Sequence, residues 1–155
     1  MVQYDAVDPL EQAAILQSIG QDMVSVAPAE WTQLRFIARE TVQTAERILE
    51  IVDADGAVDI SQSIAMPSQS DRIQKLRTGM YEPDKGTWYT MVLVVENSGE
   101  YHARYEYNDE PEFRFPTSPH AFAADLEYFP RDTAHTPGWL AQRAVDLDNG
   151  TTERG

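Results

Sequence analysis

A chain of 155 residues has the length of one domain and is long enough to bury a core of its own. Its 42% hydrophobic and 10% aromatic content sets it apart from disordered chains, while a net charge of -14 argues against binding nucleic acid or an anionic membrane face, since no basic counter-patch relieves the repulsion. With no cysteine, disulfides, thiolate nucleophiles and thiolate metal sites are all excluded.

The N-terminal stretch MVQYDAVDPLEQ has neither the basic start nor the apolar centre of a signal peptide, and no window is apolar enough to span a membrane. The expected location is therefore the cytoplasm. Asp8-Pro9 opens the first predicted element, with a capping carboxylate, a proline at the first helical position and Glu11 in the first turn. The apolar stripe of Ala13, Ile15, Leu16, Ile19, Gly20 and Met23 carries this amphipathic helix from Pro9 to about Val24, and Pro28 closes it.

Trp31 to Glu40 reads as a strand. Thr44 to Val52 holds two patterns at once: Val42, Ala45, Leu49 and Val52 keep helical spacing, whereas Ile48, Leu49, Ile51 and Val52 form a strand that ends in an Asp55-Gly56 turn. A hairpin is the favoured reading. Asp53, Asp55 and Asp59 fail as a calcium loop, because an EF-hand needs glycine sixth and glutamate twelfth, and here the glycine is fourth and Ile64 is twelfth. Val58 to Met66 is expected to be a third strand. After the polar break Pro67 to Ser70, the spacing of Ile73, Leu76 and Met80 predicts a short helix from a Ser70 or Asp71 cap, with Arg72, Lys75 and Arg77 as an exposed basic face.

Trp88 to Phe113 is the stretch around which the rest is arranged. Trp88 to Val95 is apolar at both parities, as in an interior strand, and Asn97-Ser98-Gly99 signals a turn. From Tyr101 to Asn108 the chain alternates, with Tyr101, Ala103, Tyr105 and Tyr107 on one face and His102, Arg104, Glu106 and Asn108 on the other. This hairpin runs into an acidic loop. Glu106, Asp109, Glu110 and Glu112 gain nothing from unpaired burial, so the loop is either simply solvated or meets the Lys and Arg of a partner. The candidate contact set is Glu106, Tyr107, Asn108, Asp109, Glu110, Glu112 and Phe113, with Phe113 or Tyr107 as the desolvated anchor.

Ser118-Pro119 starts a further helix through Ala121, Phe122, Asp125 and Tyr128-Phe129, with Phe122, Leu126 and Phe129 as its buried edge. Pro137-Gly138-Trp139-Leu140 is expected to dock an indole over one end of the sheet, and the polar tail from Asp146 to fray. The sum is one α+β domain over residues 1–155. It has an antiparallel sheet of about four to five strands, an N-terminal helix and one or two further helices.

Catalytic chemistry finds little support. His102, His120 and His135 fall on three separate elements with no metal-ligand spacing, and there is neither a G-x-S-x-G elbow nor a glycine-rich phosphate loop. Paired carboxylates could act as acid and base only in a pocket that drives their pKa values apart, which an exposed loop does not provide. No catalytic, cofactor-binding or metal-binding residue is expected.

Several landmarks resemble the YezG-like family of bacterial immunity proteins, the antitoxins of polymorphic toxin systems. They are Glu30-Trp31 opening a strand after an N-terminal helix, Gly86-Thr87-Trp88-Tyr89, the Ser98-Gly99 turn, Tyr105-Glu106-Tyr107-Asn108-Asp109, Leu126-Glu127-Tyr128-Phe129-Pro130-Arg131 and Pro137-Gly138-Trp139-Leu140. The likeness spans most of Ala29 to Leu140 and also favours the hairpin at Thr41 to Ala45. The long N-terminal helix region and the polar tail depart from it, so no contact list carries over. The resemblance implies a non-enzymatic inhibitor that forms a 1:1 complex with a cognate toxin domain, a nuclease or an NAD-glycohydrolase. Either has a cationic cleft that an anionic protein could occlude. The alternatives are a chaperone or adaptor that delivers a secreted effector, or a small-molecule-binding domain built on the tyrosine face.

Overall fold

The computed structural model describes residues 6–144, so the tail expected to fray lies outside them. Helix α1, Pro9–Val26, starts where the sequence places it, with the Asp8 carboxylate accepting from the Glu11 backbone N–H at 2.8 Å. It runs on to Val26 and stops where Ala27 turns extended ahead of Pro28. Leu16, Ile19 and Met23 form its buried stripe.

Five antiparallel strands follow in the spatial order β3-β2-β1-β4-β5: β1 Trp31–Glu40, β2 Ala45–Asp53, β3 Val58–Asp59, β4 Thr90–Glu96 and β5 Tyr101–Glu106. The stretch that reads both ways, Thr44 to Val52, is strand from Ala45 onward. Its hairpin turn is closed by Thr41, whose hydroxyl accepts from the N–H groups of Gln43 and Thr44, and whose own N–H donates to the Thr44 carbonyl at 2.8 Å, a bond opposite in sense to those of a helix. β4 is buried from Thr90 to Val95, as an interior strand should be, and β5 shows one wet face.

The third strand is shorter than expected. Only Val58–Asp59 pairs, and Ser61–Ala65 is a 3-10 helix in place of the strand predicted to reach Met66. Side chains outcompete the ladder here: Asp59 accepts from the N–H and hydroxyl of Ser61, and the Ser63 hydroxyl accepts from the Leu49 N–H. Helix α2, Ser70–Gly79, then crosses under the sheet, so β4 lies on the other side of β1 from β2. It starts at Ser70 itself, after Gln69, with no side-chain cap.

One face of the sheet carries the main core. Leu34, Phe36, Ala38, Leu49, Ile51, Met91, Leu93 and Val95 meet Leu16, Ile19 and Met23 of α1, Ile73 and Leu76 of α2, and Trp88. Each such side chain contributes roughly 1.5–3 kcal/mol by leaving water. The second face is held by cross-strand ion pairs, Arg35 with Glu50 and Arg39 with Glu46, each at 2.8 Å between directly opposed residues. Helix α3, His120–Tyr128, and a helical stretch at 138–144 close the end of the sheet where β4 begins. There Tyr89, Phe122 and Trp139 stack edge to face with centroids 5.4 to 5.8 Å apart around the buried Leu140.

Candidate functional site

The acidic stretch leaves β5 at Glu106 and is pinned from several elements. The key pin is Arg131. Its guanidinium donates to the backbone carbonyls of Tyr107 at 2.6 Å, Thr87 at 3.0 Å and His135 at 2.9 Å, and to Asn108 Oδ1 at 3.1 Å. Gly86, at φ 97°, leaves room for that group, because a side chain there would run into it. The Trp139 indole donates to the Asn108 carbonyl at 2.7 Å, and Arg143 pairs with Glu110. On the far side, the buried Glu46 carboxylate accepts from both the backbone N–H and the guanidinium of Arg114. Pro111 is buried between these anchors.

The loop is thus a held bracket. It lies back over the second sheet face and leaves a hollow of about 320 Å³, floored by Ile37, Thr90 and Val92 and walled by Arg39, Arg104, Glu106, Asp109, Glu110 and Glu112.

The seven candidate residues divide by their surroundings. Asp109 and Glu112 are exposed and make no ion pair among the described residues. Glu110 is tied to Arg143, and Glu106 is half-buried with Arg104 at a loose 3.9 Å. Asn108 has its side chain and its carbonyl committed inward, to Arg131 and Trp139. Tyr107 is half-buried and its hydroxyl donates to the Met80 carbonyl, while burial raises its pKa. Phe113 packs on the Tyr89, Phe122 and Leu140 cluster, and the exposed ring beside it is Phe115, 5.6 Å away. The aromatic side chains expected to be anchors therefore already have partners within the chain. Of the tyrosine face, Tyr105 and Tyr107 pack against the core, and Tyr101 stands 43% exposed.

The cations are spent internally. Arg35, Arg39, Arg47, Arg72, Lys75, Arg77, Arg104, Arg114 and Arg143 each face one of the chain's own carboxylates. Lys85 and Arg131 are the described cations outside these pairs. The basic face expected on α2 loses Arg77, which is buried at 4% exposure; Lys75 is exposed and reaches Glu11, and Arg72 bonds Asp22. Arg77 follows Ile73 by four positions and so shares its buried face. It donates two hydrogen bonds to Asp125, at 2.7 and 2.9 Å, and a third to the Trp88 carbonyl. Neither buried charge stood out in the sequence.

A second hollow of about 380 Å³ opens beside the β1–β2 turn, lined by Glu40, Arg47, Ser70, Gln74 and Thr78 among others. Burial pushes the Glu40 carboxyl above its ordinary value although Arg47 bonds both its oxygens, at 3.0 and 2.8 Å. The other Arg47 terminal nitrogen donates to Ser70. The guanidinium clamp on this carboxylate orders the turn, and Tyr128 lines the same hollow. Of the histidines, His102 and His120 are exposed. His135 meets the Asp132 carboxylate at 2.6 Å, a contact that holds that carboxyl below its usual range. Among the described residues no group of three His, Asp or Glu side chains is placed to hold a metal ion, and no helix is long and apolar enough to cross a membrane.

No family model matches the chain, and no curated protein matches it in sequence.

Proposed function

We propose that this protein is a stoichiometric inhibitor, an immunity protein that occludes the cationic cleft of a cognate toxin domain and protects the cytoplasm in which both are made. The observation that carries the reading is the loop: the carboxylates of Asp109 and Glu112 face solvent with no ion pair among the described residues, on a loop held from Arg131, Trp139, Arg143 and Glu46. A held anionic surface does not have to be ordered on binding, so less of its contact energy is lost to entropy. The cleft of a nuclease is cationic because it accommodates phosphates, and that of an NAD-glycohydrolase must accommodate a pyrophosphate. Carboxylates spaced along a bracket can take the place of either.

The global charge of -14 serves the same end by drawing a cationic partner in. Electrostatic steering raises association rates toward 10⁸ M⁻¹s⁻¹ or more in favourable cases, on the order of a hundredfold above unsteered pairs. Asp109 and Glu112 set the contact, while Glu110, Asn108 and Tyr107 hold its shape.

The test is to mix the purified protein with the toxin domain encoded beside it. A 1:1 complex with abolished toxin activity supports the proposal. Full toxin activity inside a stable complex would instead identify an adaptor, and full activity with no complex at excess protein would remove the reading altogether.

A further inference from the structure

At the opposite end of the sheet from the acidic loop, α1 and the β4–β5 turn leave an apolar groove of about 480 Å³. Leu16, Gly20 and Val24 of α1 form one wall, and Trp31, Val95 and Tyr101 form the other. Val24 and Tyr101 are each 43% exposed, so the groove is open to solvent over its apolar part. Its rim is acidic. Glu96 lines it, Glu100 lies between the lining residues Gly99 and Tyr101, Glu30 precedes Trp31, and Asp53 pairs with Trp31 in the sheet register. Among the described residues none of these four carboxylates has an ion pair; Glu96 takes only the neutral amide of Gln33, and Asp53 closes its own turn. The C-terminus of α1 ends here with no basic residue in its last turn, so its unscreened carbonyl end adds to the negative field.

We propose that this groove docks a cationic segment of a partner protein that carries a large apolar side chain between its lysines or arginines. Charge selects the occupant. A second copy of this chain brings a further -14, and the chain's own residues 145–155 bring three carboxylates against one arginine, so neither complements the rim. A cationic segment gains twice, because its apolar residue covers Val24, Trp31 and Tyr101 while its charges meet the rim in a partly desolvated setting. The groove lies away from Asp109 and Glu112, and the proposal does not depend on whether the loop plugs an enzyme.

Three tryptophans report on the docking independently: Trp31 lines the groove, Trp88 lies in the core, and Trp139 lies against Asn108. The experiment titrates the full chain, labelled with nitrogen-15, with a synthetic amphipathic peptide of lysine and leucine at physiological salt and follows the three indole N–H signals. Oligolysine of equal charge is the control. The expected result is a saturable shift of the Trp31 indole with the lysine-leucine peptide, with Trp88 and Trp139 unmoved and a much weaker response to oligolysine. Binding should fall at least about tenfold in the Val24→Gln/Tyr101→Thr variant, which opens the groove to water, and in Glu30→Lys/Glu100→Lys, which reverses the rim. A shift centred on Trp139, no shift of Trp31, equal effects of oligolysine, or unchanged binding by both folded variants would each overturn the assignment.

Discussion

Arg77 and Asp125 are 48 positions apart in the chain and meet through two parallel hydrogen bonds, buried between the end of α2, the β1–β2 turn and α3. The same Asp125 oxygen that Arg77 reaches at 2.7 Å also accepts from the Val42 N–H at 2.8 Å, and the Arg77 carbonyl takes the Thr87 hydroxyl at 2.6 Å. The pair thereby ties three separate segments to the residues that open β4. Arg77 and Arg131 both stand against the ring of Tyr89, at 5.2 and 5.4 Å, so this knot adjoins the pin that holds the acidic loop.

Breaking the pair from one side should be severe. Asp125→Asn or Arg77→Met leaves the other charge buried, an effect of about 3–5 kcal/mol in a domain whose whole stability is about 5–15 kcal/mol. The double change Arg77→Met/Asp125→Asn should cost less than the two single changes added together, because no charge is then stranded. Urea unfolding of the four proteins checks this; additive losses would show that the two groups do not act as a unit.

Gly86 and Gly99 separate backbone strain from collision. Both have φ near 97°, where alanine costs roughly 1–2 kcal/mol, but an alanine methyl at Gly99 meets nothing within 4 Å whereas one at Gly86 overlaps the Arg131 guanidinium. Gly86→Ala should therefore lose more stability than Gly99→Ala, by about 1 kcal/mol for each Arg131 hydrogen bond that is displaced. It should also shift the Trp139 indole signal, since the two side chains hold the same Asn108. Equal losses for the two variants would mean that Arg131 does not pin the loop.

Glu40 gives the stability a pH dependence of known sign. Burial raises its carboxyl above the ordinary 4.5 in the folded protein, with Arg47 opposing, so the folded state binds its proton more tightly than the unfolded chain does. Its contribution to stability is then complete below about pH 4.5 and is lost as the pH rises through the folded value. Glu40→Gln has no such titration, so its stability relative to the parent should improve as the pH rises across that window. Urea midpoints measured at steps from acid to neutral pH test this, and parallel profiles for the two proteins would contradict it.

What could be read from the sequence followed a simple rule. Where burial repeats with a period, as in α1, β1 and the β4–β5 hairpin, the apolar pattern located the element to within a few residues. Where side chains set the geometry it did not. Val58, Ile60 and Ile64 suggested a longer β3, but the Asp59 and Ser63 side chains satisfy local backbone groups and turn the chain away. Arg77 and Asp125 share buried faces with Ile73 and Phe122, yet each looks solvated until its distant partner is known. The loop was visible as a run of carboxylates. Its division into tied Glu110 and untied Asp109 and Glu112 was not, because Arg143 lies 33 positions away.

That division separates shape from contact. Asp109→Lys/Glu112→Lys should leave urea stability nearly unchanged, since surface changes of this kind are usually within about 0.5 kcal/mol. Association with a cationic partner should nevertheless slow, and depend less steeply on salt. Glu110→Gln frees Arg143, so its effect should be seen on the Trp139 signal and only weakly on the association rate. Stopped-flow mixing at several salt concentrations distinguishes the two; an equal slowing by both variants would erase the distinction.

The most direct measurement is an inhibition titration of the toxin domain that the proposed function requires, comparing this protein with its Asp109→Lys/Glu112→Lys variant at matched fold stability. The predicted result is complete loss of toxin activity at one equivalent of the parent protein and substantial residual activity at one equivalent of the variant. A variant that inhibits as fully as the parent would contradict the assignment of these two carboxylates to the toxin's catalytic cleft.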